Sequence, residues 1–511
     1  MRKTIHLVSM TIEEKVIKSC STIVAAFFPV NRVEIGLSQQ RLADNQSAKG
    51  DLILRIEKIK VSDISNVFEL SFDNEGQVIS QQFATKIETL KNQFPLPGKE
   101  PSAQIMVKKT VFMFLAGLTG QKNPWGILNG MRPGKLITKM EELGYDNKIQ
   151  EDILDHYYLV SSEKIKLLQR INTVQKPYRE IKEKAKQVAV YLAIPFCPSR
   201  CSYCSFPSNP LSAKNKELIP LYLQALEQEI KLTAELMAEN GLKADSIYVG
   251  GGTPTVLDVK ELEELLRTIC DRLPRKQEAE FTVEAGRPDT LDLSKLKLLK
   301  QYGVNRLSIN PQSMQEKTLD RIGRTHGISE LIDCYYMARD LSDWTINMDL
   351  IIGLPGEGFA EIIDSINKVL ELIPDNLTVH AMALKRGSAV WEESYVHNSH
   401  YDWAEIEHEI EDRILSAGYY PYYLYRQKNI VGNLENIGYT LPGKVCRYNV
   451  ATIEEIQNVI GLGAGAASKL PKRNYGHENI YNPQDLKNYL ERFREVHAKR
   501  KRVLEGAVGI S

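Results

Sequence analysis

A net charge is missing from this chain: its 65 Lys and Arg are matched by 65 Asp and Glu. No overall field of one sign draws it to polyanions, so no nucleic-acid partner is expected. Long apolar runs are missing too. The longest, residues 23–30 and 111–118, fall far short of the roughly 18 to 20 residues that cross a bilayer; no membrane span is expected, and both runs suit core elements. Cysteine is scarce and odd in number: Cys20, Cys197, Cys201, Cys204, Cys270, Cys334 and Cys446. Three of these lie within eight residues, which is a metal-site distribution in a reducing compartment and not a disulfide framework. The N-terminal stretch MRKTIHLVSMTIEEKVIK carries polar and charged residues throughout, so no signal-peptide apolar region forms and a cytoplasmic location is expected. What is present is an ordinary globular composition, 43% hydrophobic and 25% charged, which excludes collagen-like, mucin-like and wholly disordered chains. At 511 residues the chain exceeds one ordinary core, and about one domain per 150 residues predicts two to four.

Between residues 188 and 383, short β-branched runs alternate with amphipathic stretches, the pattern of parallel strands joined by crossover helices. Strands are predicted at 188–195, 246–250, 280–284, 306–310, 346–352 and 377–383. Leu221, Leu223, Leu226, Ile230 and Leu232, then Leu262, Leu265, Leu266 and Ile269, recur near a helical period. Six units are fewer than the eight that close a full barrel, so the expected fold is α/β: a partial (β/α)6 barrel of the triosephosphate-isomerase type, open on one side to a large flat substrate. It occupies residues 176–385. Residues 1–175 read as a separate N-terminal α/β domain, with strands at 51–59 and 67–72 around an Asn74-Glu75-Gly76 turn and helices from Val107 onward. The charged stretch 177–186 connects the two. Residues 386–511 contain Trp391, Trp403, the tyrosines Tyr419, Tyr420, Tyr422, Tyr423 and Tyr425, and a Gly-Ala run. They read as a mostly helical unit covering the barrel mouth. A monomer is expected.

The chemistry concentrates in Tyr191-Leu-Ala-Ile-Pro-Phe-Cys197-Pro-Ser-Arg-Cys201-Ser-Tyr-Cys204, a C-x3-C-x2-C loop directly after the first predicted barrel strand. Thiolates are soft ligands that suit iron–sulfur clusters or zinc, but a structural zinc site closes with four protein ligands, and no fourth Cys or His lies nearby. Three ligands on a four-iron cluster leave one iron open to bind and cleave a small molecule. Zinc, or three unligated packed thiols, remain as alternatives. Next along the chain, Val249-Gly-Gly-Gly-Thr-Pro-Thr255 ends the second strand with three glycines, where backbone can approach a ligand closely or simply turn tightly.

These residues resemble the radical S-adenosylmethionine (SAM) superfamily, and within it the oxygen-independent coproporphyrinogen III dehydrogenases, especially their long Gram-positive type with an extra N-terminal domain. The similarity runs from about Tyr191 to Leu470 and extends to Pro124-Trp-Gly-Ile-Leu-Asn-Gly-Met-Arg-Pro133. It implies a [4Fe-4S] cluster on Cys197, Cys201 and Cys204. It further implies one or two SAM molecules contacted by Tyr191, Tyr203, Gly251, Gly252, Thr253, Glu284, Gln312, Arg324, Asp349, Ala383 and Ala467. Taken singly, Glu284 or Asp349 is more often a helix cap or an ion-pair partner; four polar residues at successive strand ends argue for a site. The implied reaction splits SAM to a 5′-deoxyadenosyl radical, which takes hydrogen from a propionate of coproporphyrinogen III. Carbon dioxide and an electron leave, and two rounds give protoporphyrinogen IX. The implied partners are the porphyrinogen substrate and an electron donor such as flavodoxin or ferredoxin. A substrate bearing four carboxylates calls for cations, with Arg200, Arg287, Arg324 and Arg447 flanking the motifs; Arg324 and His326 could form an anion-binding loop.

One position departs from the dehydrogenase pattern. Cys204 is followed by Ser205-Phe206, where the well-known dehydrogenases place a further cysteine that does not ligate the cluster. The Cys-x-Phe arrangement resembles the superfamily's haem-trafficking proteins, which bind haem and lack the decarboxylase. Cys446 is the one candidate for a substitute catalytic thiol, against the reading of a packed structural cysteine. The run Lys499-Arg-Lys-Arg502 reads as a solvated C-terminal helix.

Overall fold

A computed structural model describes residues 4–9, 11–28, 32–36, 52–61, 65–74, 77–86, 102–128, 130, 132–180, 186–206, 208–384, 401–428, 430–471 and 477–508. Glu75 and Gly76 of the expected turn, Asn129 and Met131, linker residues 181–185, and Trp391 lie outside the described residues. The chain falls into two compact units, Met1–Thr173 with Arg426–Asn429, and Val174–Tyr425 with Ile430–Ser511.

The first unit carries a five-stranded sheet of order β2-β1-β3-β4-β5, made of β1 (Thr4–Val8), β2 (Arg32–Gly36), β3 (Leu52–Val61), β4 (Ser65–Asn74) and β5 (Gln77–Lys86). The first three run parallel and the last three antiparallel. Leu52, Leu54 and Ile56 on β3 and Phe68, Leu70 and Phe72 on β4 alternate inward and are buried. Helix α1 (Glu14–Phe27) buries Ile17, Cys20, Ile23, Val24 and Phe27 at helical spacing, and its Phe27 ring meets Phe112 of α2 (Ser102–Thr119) edge-on at 5.4 Å. The Trp125 motif has a local reason. Trp125 is fully buried beneath the Arg426 guanidinium at 5.0 Å, and Arg426 donates to the Leu128 carbonyl at 2.8 Å. Gly126 sits at φ +52°, where an added Cβ would fall 2.1 Å from the Tyr158 carbonyl oxygen. Helices α3 (Gly134–Glu142), α4 (Asn147–His156) and α5 (Ser162–Arg179) follow.

In the second unit, six strands lie side by side in chain order, all parallel: β6 (Gln187–Ile194), β7 (Lys243–Gly251), β8 (Arg275–Glu284), β9 (Arg306–Ser308), β10 (Thr345–Ile352) and β11 (Asn376–Ala381). They coincide with the six predicted strands. Crossover helices α6 (Ile219–Glu239), α7 (Val259–Arg272), α8 (Leu293–Gln301), α9 (Ile328–Leu341) and α10 (Phe359–Leu372) join them. Register separates the two faces. Val190, Leu192, Ile247, Val249, Phe281, Val283, Leu307, Ile346, Met348 and Leu377 are apolar and buried. The alternate positions carry Tyr191, Tyr248, Thr282, Glu284, Arg306, Ser308, Asn347, Asp349, Thr378 and His380. A period of two thus gives one apolar face and one polar face.

The C-terminal residues differ from the mostly helical expectation. Besides α11 (Trp403–Ser416), α12 (Arg447–Ile453) and α13 (Leu486–Val508), they add five strands to the same sheet. β12 (Tyr420–Tyr425) and β13 (Asn436–Thr440) extend it beyond β11; β14 (Asn458–Leu462), β15 (Ala467–Pro471) and β16 (His477–Tyr481) extend it beyond β6. The physical reason is an open edge: β11 and β6 each offer unpaired backbone groups, and these strands satisfy them.

The basic C-terminal run is not wholly solvated either. Arg500 is fully buried, donating to Glu229 Oε1, the Gly461 carbonyl and Asn482 Oδ1 at 2.7 Å each and to Ser468 Oγ at 3.0 Å. Glu229, also fully buried, further accepts from Gly463 N–H and Tyr489 Oη at 2.8 Å. Arg500→Ala strands the carboxylate without a counter-charge and is expected to cost about 3–5 kcal/mol, read as a lower urea midpoint. Lys499→Ala, whose exposed side chain pairs with Glu478 at 3.2 Å, is expected to cost about 0–1 kcal/mol. Equal losses would contradict this assignment.

Candidate active site

The cysteine loop leaves the carboxyl end of β6 through Pro195. Phe196 and Cys197 run beside Asn209 and Pro210 as a short parallel pair, closing the loop at its base. Its tip is pinned to a second loop: Ser202 N–H donates to the Ile322 carbonyl at 3.0 Å and Ser199 Oγ to that of Gly323 at 3.0 Å. All three cysteines are free and half-buried. Each sulfur has at least one donor, Cys201 being bonded by Arg324 as well as Arg287 and Cys197 by Ser208 as well as Thr253. Thr253 Oγ1 lies 3.7 Å from Cys197 Sγ, Arg287 Nη1 lies 3.8 Å from Cys201 Sγ, and Cys204 accepts the Phe206 backbone N–H. Burial pushes the Cys197 thiol up to about 11, the nearby Cys204 and Cys201 adding to it, and raises Cys204 as well. A Cβ at Gly252 would lie 2.4 Å from the Phe196 carbonyl oxygen and 2.9 Å from Cys197 Sγ, so the glycine segment after β7 passes the cysteines only as glycine. Among the described residues no three His, Cys, Asp or Glu side chains are gathered as a ready chelate for an ion. The donor set itself, three soft sulfurs each already hydrogen-bonded, fits a cluster better than a closed zinc site.

Beside the loop, the polar face of the sheet begins with three stacked tyrosines. Tyr248 and Tyr448 have ring centroids 4.5 Å apart, and Tyr191 lies 6.2 Å from each. Tyr248 Oη donates to Glu284 Oε1 at 2.6 Å, and Gly251 N–H to Glu284 Oε2 at 3.2 Å. Burial pushes Glu284 up to about 7 against the pull of the Tyr248 hydrogen bond, the Asp349 charge adding to the rise. Asp349 goes the other way. Burial opposes its charge, yet His380, with Nε2 at 3.9 Å, and Asn347, donating at 2.8 Å, hold it below the ordinary range. Gln312, at φ +66°, donates its N–H to the Asp349 carbonyl at 2.8 Å.

Of the expected SAM contacts, Tyr191, Gly251, Glu284, Asp349 and Gln312 are linked in this way, while Gly252 and Thr253 lie against Cys197. Arg324 is buried against Tyr203 and Cys201, with Nη1 on the Asn310 carbonyl at 2.6 Å. Ala467 reaches the set indirectly: its backbone packs on Gly461, which is in register with Tyr191. Ala383 forms an isolated antiparallel bridge to Ile430.

Three of the four expected cations already have partners within the fold. Arg287 grips Asp289 through Nε at 3.0 Å and Nη2 at 2.9 Å, and Arg447 reaches Asp245 at 3.2 Å; Arg324 has Nη1 on the Gly286 and Asn310 carbonyls and also bonds Tyr203 and Cys201 of the cysteine loop. Arg200 is exposed. His326 is buried, and burial followed by the Arg324 and Arg287 charges drives it down to about 4, so it is neutral near pH 7 and adds no charge to an anion loop. Cys446 lies 3.3 Å from Glu280 Oε1 among Tyr422, Tyr423, Val445 and Val450, and burial pushes its thiol up to about 12. Glu280 precedes Glu284 by four residues on the same face of β8, about 13 Å along the strand. Phe206 stands 62% exposed.

Tyr248, Tyr448 and His380 escaped the sequence reading. Tyr248 and His380 carried a usable signal, each being the polar member of an alternating strand (Ile247-Tyr248-Val249, Val379-His380-Ala381); Tyr448 carried none. Glu284 yields a pH test. Its folded-state pKa of about 7 stands above the ordinary 4.5, so the stability it contributes is present below pH 4.5 and is lost as pH rises through about 7. Glu284→Gln is therefore expected to gain in urea midpoint relative to wild type between pH 4.5 and 7.5; a pH-independent difference would contradict burial as the cause.

The radical SAM superfamily model matches residues 191–369. The chain is 40% identical over 420 residues to the oxygen-independent coproporphyrinogen-III oxidase-like protein HemZ of Bacillus subtilis (strain 168), covering 80% of this chain and 83% of that one. It is 30% identical over 304 residues to the heme chaperone HemW of the same organism, covering 59% and 75%. Among solved structures, coproporphyrinogen III oxidase HemN from Escherichia coli superposes with a TM-score of 0.51 at 23% identity, over 64% of this chain and 73% of that one, a likeness of fold.

Proposed function

Because the chain belongs to the HemZ-like family of the radical SAM superfamily, we propose that it decarboxylates two propionates of coproporphyrinogen III to vinyl groups without oxygen, giving protoporphyrinogen IX. It is on this reading a radical SAM oxidoreductase of porphyrin and haem biosynthesis. The observation that carries it is the reach of the HemZ likeness: 80% of the chain is more than the part from Tyr191 onward could supply, so the match extends into the N-terminal unit, whereas the HemW match covers 59%.

The chemistry supplied by a bound cluster and SAM is abstraction of a propionate hydrogen by a SAM-derived radical, each round releasing one hydrogen atom, one electron and carbon dioxide from the substrate. Cys197, Cys201 and Cys204 would hold the [4Fe-4S] cluster and leave one metal corner without a protein ligand. Tyr191, Gly251, Gly252 and Thr253 would position SAM beside that corner, with Tyr203, Glu284, Gln312, Arg324, Asp349, Ala383 and Ala467 completing contacts for one or two molecules. The glycines let backbone approach the ligand, and the tyrosine stack shields the reacting face from water. Six parallel units curved as a partial barrel, residues 176–385, would place the polar face around a flat macrocycle, with 386–511 covering it and 1–175 as an accessory domain. An electron donor such as flavodoxin or ferredoxin, a monomeric state and a cytoplasmic location complete the proposal. Cys446, buried against Glu280, is the weakest candidate for a catalytic thiol; Cys446→Ala with unchanged turnover would dismiss it.

A second reading rests on Phe206, which follows Cys204 where a further cysteine stands in the dehydrogenase pattern: a haem-binding protein without decarboxylation. Anaerobic incubation of the reconstituted protein with SAM, a reductant and coproporphyrinogen III separates the two. The enzyme gives 5′-deoxyadenosine coupled to a vinyl-bearing product; stoichiometric haem binding with no product would overturn it. Replacing Cys197, Cys201 or Cys204 by Ala is expected to abolish the brown absorbance and most of the bound iron and sulfide. Full iron content in all three variants would refute the ligand assignment.

A further inference from the structure

Sequence alone placed Arg287 among cations for substrate carboxylates, but its surroundings give it other work. It follows β8 and is 3% exposed. Two edges of the guanidinium are fixed by Asp289, Nε to Oδ1 at 3.0 Å and Nη2 to Oδ2 at 2.9 Å, and Nη2 also reaches Thr325 Oγ1 at 3.3 Å. That fork-to-fork grip sets the plane of the group. The remaining nitrogen, Nη1, then points at Ser199 Oγ at 3.1 Å and at Cys201 Sγ at 3.8 Å. Ser199 in turn is bonded to the Gly323 carbonyl, so Arg287 joins the cysteine loop to the 323–326 loop. The donors to the other two cysteines are neutral: a hydroxyl at Cys197 and a peptide N–H at Cys204.

A hydrogen bond to a ligating sulfur draws charge away from the metal and favours the reduced, more negative state, and a charged donor does so more strongly. Resting on the cluster reading above, we propose that Arg287 is a tuning residue that raises the reduction potential of the cluster by donating to the Cys201 sulfur, with Asp289 holding it in place. Arg324 is a second charged donor to Cys201 and also bonds Tyr203; with Nη1 held on the Gly286 and Asn310 carbonyls, it is unchanged in the Arg287 variants and contributes a constant background.

The test is an EPR-monitored redox titration of the reconstituted full-length protein, alongside Arg287→Met and Arg287→Lys. Arg287→Met is expected to keep bound iron and sulfide and to move the midpoint to more negative potential. Arg287→Lys, which keeps the charge but not the rigid fork, is expected to fall between Arg287→Met and wild type. A Met variant with wild-type iron content and a wild-type midpoint would overturn the proposal. If the Met variant binds no cluster, the Lys variant decides, an unchanged midpoint overturning it. A wild-type protein that itself takes up no cluster would refute the cluster reading instead.

Discussion

Strand register carries the rest of this structure. Six parallel strands pair in order, so that Tyr191 stands opposite Tyr248, Tyr248 opposite Thr282, Glu284 opposite Ser308, and Asp349 opposite Thr378. A slip of one residue at any strand would swap Val, Leu and Ile for Glu, Asp and His beneath the helices, exposing roughly 1.5–3 kcal/mol of burial per large apolar side chain. Apolar burial against helices α6–α10 therefore fixes, without further cost, which polar side chains share the opposite face. A fully closed eight-stranded barrel fills its interior with branched apolar residues; here Thr282, Ser308, Asn310 and Asn376 are buried polar groups instead. A polar face is what a ligand with several charged and hydrogen-bonding groups requires.

The loops at the strand ends add chemistry to that frame. The cysteine loop is held at its base by strand pairing and at its tip by hydrogen bonds to Ile322 and Gly323, while the glycine segment lies flat against Cys197. Glu284 and Asp349, two carboxyls on neighbouring parts of one face, are driven apart in acidity by different neighbours: burial raises the first, and His380 with Asn347 lowers the second. Such separation marks functional faces more often than structural ones. The far edge is closed by Arg500 and Glu229, which tie the C-terminal helix to β14 beside Tyr191.

Much of this was legible from sequence because its signals are local. β-branched runs alternating with amphipathic stretches exposed the six strands, and the sulfur spacing exposed the cysteine loop. Tyr419 to Tyr425, by contrast, gave no hint of β12, since aromatic residues serve strand and helix cover alike and the partner β13 lies beyond a turn. Arg500 looked like one solvated cation among four because its partner, Glu229, is remote in sequence. Arg287 was expected only as a cation for substrate carboxylates; which sulfur it faces depends on Asp289 and on loop geometry that no spacing rule encodes. Tyr448 joins the stack through a packing contact alone.

In the proposed function Cys197, Cys201 and Cys204 would hold the cluster through three sulfurs, and SAM would bind beside the corner that has no protein ligand. EPR of the anaerobically reduced, reconstituted protein, recorded without and with added SAM, tests it most directly. A reduced four-iron signal whose g-values shift when SAM is added is expected. Zinc in place of iron, or a cluster signal indifferent to SAM, would contradict it.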